Sequence, residues 1–275
     1  MLDQALLSIN QVTTREQWSL AQAIEGYARG GVNGIAVWRD KMLELGLKES
    51  VRRLRDHNMT VTGYCVGGLM TALDPAAFQA RLEVNRRMIE EAAELGAKCI
   101  VFVAGGLEEG SKDIGGARER CLEGLELLLP EAKAAGVTLG LEPLHPMICA
   151  ARSVLTTLKE ANDWCQRLGA GDELGVVVDV YHVWWDPELA PQIARAGKRI
   201  VAFHMSDWLA DTQDLRLDRG MMGDGVIDLP AIRQMVENAG YGGHREVEIF
   251  SARNWWRRDP DEVVRIITER YQTSV

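Results

Sequence analysis

Short apolar runs recur along the chain, and longer amphipathic segments separate them. Residues 5–10, 34–38, 60–66, 98–103, 137–141, 174–179, 199–204 and 245–250 are such runs. Their apolar positions are near-continuous rather than alternating, as in strands of a parallel sheet covered by helices. Between them the 3.6-residue spacing predicts helices. The first opens at the capping-box pattern Thr14-x-x-Gln17 and runs to about residue 28. Others cover about 47–57, 75–95, 114–135, 154–168 and 187–196, and two more start near 229 and 260. Asp74-Pro75 and Asp259-Pro260 put proline in a first helical turn, and Gly136 stands just past a helix end. Residues 207–228, with Gly220, Gly223 and Gly225, read as a long irregular loop. Eight strand–helix units follow one another with no linker or shift in composition. They predict an α/β protein, a single (β/α)8 barrel over residues 1–275.

In such a barrel chemistry sits at the C-terminal ends of the strands. Those ends carry Glu142, Asp179, His204 and Glu248, from four consecutive strands. Pro143 directly follows Glu142 and Pro146 follows His145, so the chain leaves its strand as these polar groups arrive. Three carboxylates aimed at one spot repel one another, and a divalent cation resolves that repulsion. Mixed oxygen and nitrogen ligation suits Mn²⁺, Mg²⁺, Co²⁺ or Zn²⁺. Glu246 shares a strand face with Glu248, two residues earlier, and is expected to support the ligands from below. His145, His182 and Arg219 are the nearby groups able to orient hydroxyls or move protons. Trp184-Trp185 and Trp255-Trp256 follow site-bearing strands, and Trp185 is expected to meet the ligand. His57 and His244 precede their strands and are expected in solvent at the opposite face.

Composition narrows the function classes. A net charge of −9 argues against a nucleic-acid groove. No apolar stretch approaches the ~20 residues of a membrane span, and the first residues lack a signal-peptide pattern. The five cysteines are odd in number and form no CxxC pair, which suits free thiols in a reducing cytoplasm. No lysine ends a strand, so a Schiff-base aldolase is not indicated. Asp224 and Asp228 in the glycine-rich loop argue against a phosphate grip there.

The series Glu142 … Asp179-Val-Tyr-His182 … His204 … Glu248, with Glu-Ile-Phe on the last strand, resembles the sugar isomerase/epimerase superfamily of xylose-isomerase-like barrels. The resemblance implies that Glu142, Asp179, His204 and Glu248 bind a divalent metal, often Mn²⁺. It implies that His182 and Arg219 contact substrate oxygens. In the ketose epimerases of that superfamily the two metal-binding glutamates exchange protons beside the carbonyl. Those epimerases carry a further Glu six residues after the first ligand, where this chain has Ile148. The Glu-Pro-Leu-His-Pro segment, the Asp-Trp after His204 and the glycine-rich loop are similar to the catalytic α subunits of bacterial C-glycoside deglycosidases. That likeness implies a partner, a small β subunit, within a hetero-oligomer. It implies cleavage of a carbon–carbon bond in a 3-oxo-C-glycoside, which β-elimination makes accessible; His145, an imidazole suited to proton transfer near neutral pH, is expected as the general base. The alternative is a sugar isomerase or epimerase acting on a keto sugar through a cation-stabilised enolate or enediolate.

Overall fold

The computed structural model describes residues 1–275. Eight parallel strands close into a barrel: β1 (Leu7–Asn10), β2 (Gly34–Trp38), β3 (Thr60–Gly68), β4 (Ile100–Val103), β5 (Leu139–Leu141), β6 (Leu174–Asp179), β7 (Ile200–Met205) and β10 (Arg245–Val247). Neighbours follow chain order around the ring, and β1 pairs with both β2 and β10 to close it. Two-residue strands β8 (Asp207–Trp208) and β9 (Arg219–Gly220) pair antiparallel inside the loop after β7. The (β/α)8 barrel expected from the alternation is thus the observed fold.

The alternation of side chains along each strand divides the core. Ala36, Cys65, Cys99, Val101, Val177 and Ala202 form a small cluster of their own. Their immediate neighbours, such as Ile35, Ile100, Phe102, Val176 and Phe203, join the 64-residue cluster shared with the helices. Small residues suit the crowded barrel interior, where strands converge, and branched residues face the helix layer. At Gly140 an added Cβ would meet methyl groups of Val177 and Val201 at 2.9 Å, so only glycine fits between those strands.

The outer helices are α1 (Leu20–Arg29), α2 (Arg39–Leu45), α3 (Leu47–Asp56), α4 (Pro75–Leu95), α5 (Ile114–Ala135), α6 (Leu158–Leu168), α8 (Leu189–Ala196), α9 (Leu229–Asn238) and α10 (Pro260–Thr273). The short α7 (Val180–Val183) directly follows β6. Asp74 and Asp259 cap α4 and α10 as their sequence contexts predict. None of the helices is long and apolar enough to cross a membrane.

Several expected boundaries move. The capping box belongs to Ser19 and Gln22, which bond reciprocally at the start of α1. The buried stripe Leu20, Ala23, Ile24 and Tyr27 is in phase with that box. Thr14 instead ends a short 3-10 turn and shares a 2.8 Å hydrogen bond with the Tyr27 hydroxyl. Helix α2 has no counterpart among the predicted elements. Helix α6 starts at Leu158 rather than 154, because Val154 and Leu155 bond to other loops instead of entering the helix. The Val154 amide donates to the Gly105 carbonyl, and the Leu155 carbonyl accepts from Leu144.

A candidate metal centre and its cavity

The strand ends deliver four donors to one place. Glu142 stands one residue past β5, yet its amide still donates to the Phe102 carbonyl at 3.0 Å. Glu248 stands one past β10 and is held likewise by the Met205 carbonyl at 2.9 Å. Asp179 ends β6 and faces His204 of β7 in register, as Glu246 does from β10. Ladder bonds therefore fix the backbones from which all four side chains project. Ligand atoms of Glu142, Asp179, His204 and Glu248 lie within 4.8 Å of one another, and all four residues are buried.

The groups around these donors explain which of their atoms are free. His204 Nε2 lies 3.3 Å from Glu246 Oε1, while its Nδ1 lies 3.1 Å from Glu142 Oε1 and 3.6 Å from Glu248 Oε2. Glu246 itself is tied down by Thr62, at 2.5 Å, and by the Asn10 amide, at 2.9 Å. Asn10 also donates to Glu248 Oε1 at 3.0 Å. Asp179 spends one oxygen on the Tyr181 amide and the other on Arg219 Nη1, both near 2.9 Å or closer. Glu142 Oε1 and both His204 ring nitrogens are buried without an aligned hydrogen-bond partner. Buried polar atoms are rarely left so, and a cation among them would satisfy Glu142 and His204 Nδ1 together. Three carboxylates and one imidazole also match the donor preferences of divalent cations. The residues present therefore fit such an ion.

Electrostatics without an ion point the same way. Burial pushes the Glu142 carboxyl up to about 7, with Glu248 and Asp179 adding to the rise and His204 opposing it. Burial alone would lower the His204 imidazole, but Glu246, Glu142 and Glu248 raise it well above its usual range. Asp179 also resists burial: the Arg219 guanidinium beside it holds it down at about 2. Burial presses the His182 imidazole down to about 3, against the pull of Asp179. Its Nδ1 lies 3.1 Å from the His145 amide and its Nε2 lies 3.1 Å from Arg219 Nη2; both neighbours are donors, and neutral His182 accepts from one of them.

Above the donors lies a cavity of about 500 Å³ of non-atom space, counting its open mouth. Glu142, Glu248, His182 and Arg219 reach it, and Trp38, Tyr181 and Phe250 form apolar walls. Arg219 is buried, with its guanidinium 4.4 Å from the Tyr181 ring centroid and 5.0 Å from that of Phe250. Its Nη1 contacts Asp179 and Glu248, its Nη2 lies 3.1 Å from His182 Nε2, and its Nε has no partner. Arg219 is carried by β9, which Asp207 anchors. The buried Asp207 carboxylate accepts from the amides of Trp208, Gly223, Gly225 and Ile227 at 2.9–3.0 Å.

His145 lies elsewhere. Leu144 takes the inward position after Pro143 and lines the cavity, so the next side chain turns away. The His145 ring stacks on Trp208 at 4.8 Å between centroids and meets Trp185 edge-on at 5.7 Å. Its Nδ1 accepts from the Met147 amide at 3.2 Å. Trp185 is likewise off the cavity wall and donates to the His182 carbonyl at 2.8 Å. Neither His145, expected as the base, nor Trp185, expected as a ligand contact, is among the residues that line the cavity. Ile148, which stands where the epimerases carry a further Glu, lines the cavity, as do Arg152, Leu215 and Arg216, which were not anticipated because they lie in loops without periodic pattern. Asn10 was missed too, although a polar residue ending a buried strand was a usable signal. His57 and His244 are half-buried rather than fully in solvent.

Fold and donor set together define a TIM-barrel protein whose C-terminal mouth gathers three carboxylates and one imidazole that could hold a divalent cation. The chain belongs to the xylose isomerase-like TIM barrel family, whose pattern matches residues 24–267. It is 25% identical over 259 residues to an inosose isomerase of Halalkalibacterium halodurans, spanning 89% of this chain and 87% of that one. The crystal structure of protein SMc04130 from Sinorhizobium meliloti 1021 superposes with a TM-score of 0.97 and 51% identity over 99% of both chains. The IOLI protein, solved with a zinc atom, shares the fold at a TM-score of 0.86 and 22% identity, over 98% of this chain and 97% of its own.

Proposed function

We propose that the protein is a divalent-cation-dependent isomerase or epimerase of a keto sugar or keto-polyol. The observation that carries this reading is the placement of Glu142 and Glu248. Both carboxylates reach one cavity, yet β6 and β7 stand between their strands in the ring. They therefore approach a bound substrate from two sides. The similarity to an inosose isomerase supports the same class.

A cation held by Glu142, Asp179, His204 and Glu248 would supply Lewis-acid polarisation of a substrate carbonyl, for which we favour Mn²⁺. Glu142, which reaches the cavity, takes the proton from the adjacent carbon through the oxygen that the cation leaves free. A proton that Glu248 already carries, delivered from the other side, inverts that carbon and leaves Glu142 protonated. Return from Glu142 to the former carbonyl carbon, with a proton passing from one oxygen to the other, moves the carbonyl instead. Arg219 and His182, which line the cavity beside Glu142 and Glu248, orient substrate oxygens. Leu144 and Leu215 exclude water, and the faces of Trp38 and Phe250 receive the C–H side of the ring.

The test is deuterium uptake beside the carbonyl, followed by NMR in D₂O with Mn²⁺-loaded protein and a panel of ketohexoses and inososes. Uptake with epimer or isomer formation is expected. A fully loaded protein that exchanges no proton in any of them would refute the reading. Cleavage of a 3-oxo-C-glycoside draws less support, since the His145 ring packs between Trp185 and Trp208 and off the cavity wall. The same preparation, with and without a small partner subunit, would reveal it by release of the aglycone.

A further inference from the structure

Two arginines line the cavity without a direct ion-pair partner. Arg152 comes from the loop between β5 and α6, and Arg216 from the loop between β8 and β9. Arg152 is half-buried and Arg216 is exposed, and neither guanidinium makes a hydrogen bond or an ion pair within the chain. This is unusual here, because the chain is acidic and most of its arginines are paired. Arg118, for example, holds Glu160 at 2.7 Å. Asp214, two residues before Arg216, feels its charge but makes no ion pair with it. Asp214 accepts from the amides of Arg216 and Leu217, and Asp218 accepts from that of Gln213. Burial and the charge of Arg216 both depress Arg152, so the two guanidinium groups sense one another.

Holding two like charges together at the rim of an apolar-walled cavity is unfavourable unless an anion visits. We infer that the substrate is an acidic keto sugar, bearing a carboxylate or phosphate that Arg152 and Arg216 bind while its carbonyl end reaches the donor set. The glycine-rich loop does not oppose this. Asp228 caps α9 and Asp224 accepts from the Met221 amide, and neither lines the cavity. The inference refines the proposed isomerase reading and rests on it for the word substrate, but the anion site can be tested without turnover.

Three unreactive probes of one carbon skeleton serve: glucitol, gluconate and glucitol 6-phosphate. Calorimetric titration of the Mn²⁺-loaded protein should show at least one anion binding about tenfold or more tighter than glucitol. The tighter of the two identifies the charged group. Its advantage should shrink with rising ionic strength, as expected for a partly exposed pair. Arg152→Gln and Arg216→Gln should each cut the anion-to-neutral ratio by about tenfold, and Arg216→Lys should keep most of it. Cation content and melting temperature, measured alongside, confirm that each variant is folded. Equal affinity for all three probes overturns the inference. So does an anion preference that survives both glutamine variants, since the cation itself would then hold the acid. Arginine-dependent anion binding in a protein that exchanges no substrate proton would count against the isomerase reading alone.

Discussion

Replacing Asp207 by Asn isolates the device that holds Arg219 over the site. The carboxylate accepts four backbone N–H bonds, two on each oxygen, and is 1% exposed. Asn keeps the shape but turns one oxygen into an NH₂ donor. Two of the four amides lose their acceptor and meet a like donor instead. Hydrogen bonds to a charged acceptor contribute about 1.5–3 kcal/mol each, so losing two costs about 3–6 kcal/mol. For a barrel of this size about 1 kcal/mol shifts the melting temperature by roughly 2 °C, which predicts a fall of roughly 6–12 °C. If the loop opens before the barrel does, the loss shows locally as faster hydrogen exchange of the amides of Gly223, Gly225 and Ile227. Because β9 belongs to the same loop, proton exchange on substrate should fall at least tenfold. A variant that melts within about 2 °C of the parent, with those amides still protected, would refute this account of the loop.

Glu246→Gln should weaken cation binding by about 10- to 100-fold with little loss of fold, because Glu246 backs the Nε2 of His204; competition with a chelator measures it. The ion-free protein should lose stability as pH rises from about 6.5 to 8, above the range in which His182, held down at about 3, works in the opposite direction. Glu142, at about 7, lies above its unfolded value of 4.5, so the folded state holds the extra proton and its advantage is lost as that proton leaves. The raised His204 acts in the same direction, and Glu142 alone accounts for up to about 3 kcal/mol. Cation binding should correspondingly release protons and tighten through that range, which titration in two buffers reads directly. Among the thiols only Cys149 should react promptly with a disulfide reagent at pH 8. The other four are buried, with Cys99 pushed up to about 12 and Cys165 to about 11. Rapid loss of more than one thiol in the native state would contradict this packing.

The barrel and its donor set were legible because both follow from regular features. Apolar runs mark strands, and a parallel ring places successive strand ends side by side. That made Glu142, Asp179, His204 and Glu248 neighbours before any coordinates existed. Direction after a strand end is another matter. Leu144 and His145 compete for the cavity, and apolar packing awards it to Leu144 once Pro143 has bent the chain. Spacing alone cannot weigh that contest. Thr14 and Ser19 both head a capping-box pattern, and only the burial of Leu20, Ala23 and Ile24 selects the second. Arg152 and Arg216 meet across two loops, so no local pattern joins them.

The bond network around Asn10 bears on the order in which the molecule assembles. Asn10 ends the first strand, yet its amide bonds Glu246 and Glu248, more than 230 residues later. Glu248 also depends on the β1–β10 seam, which the pairs Ser8–Glu246 and Ile9–Val247 close. A chain emerging from the ribosome can present Glu142, Asp179 and His204 long before it presents Glu248. Until the two ends meet, that partial set lies at an open sheet edge with water as its fourth neighbour. A cation that needs all four donors therefore stabilises the closed ring and not its precursors. Loading would then report that synthesis and closure are complete, and an unclosed chain would be both inactive and unable to sequester metal.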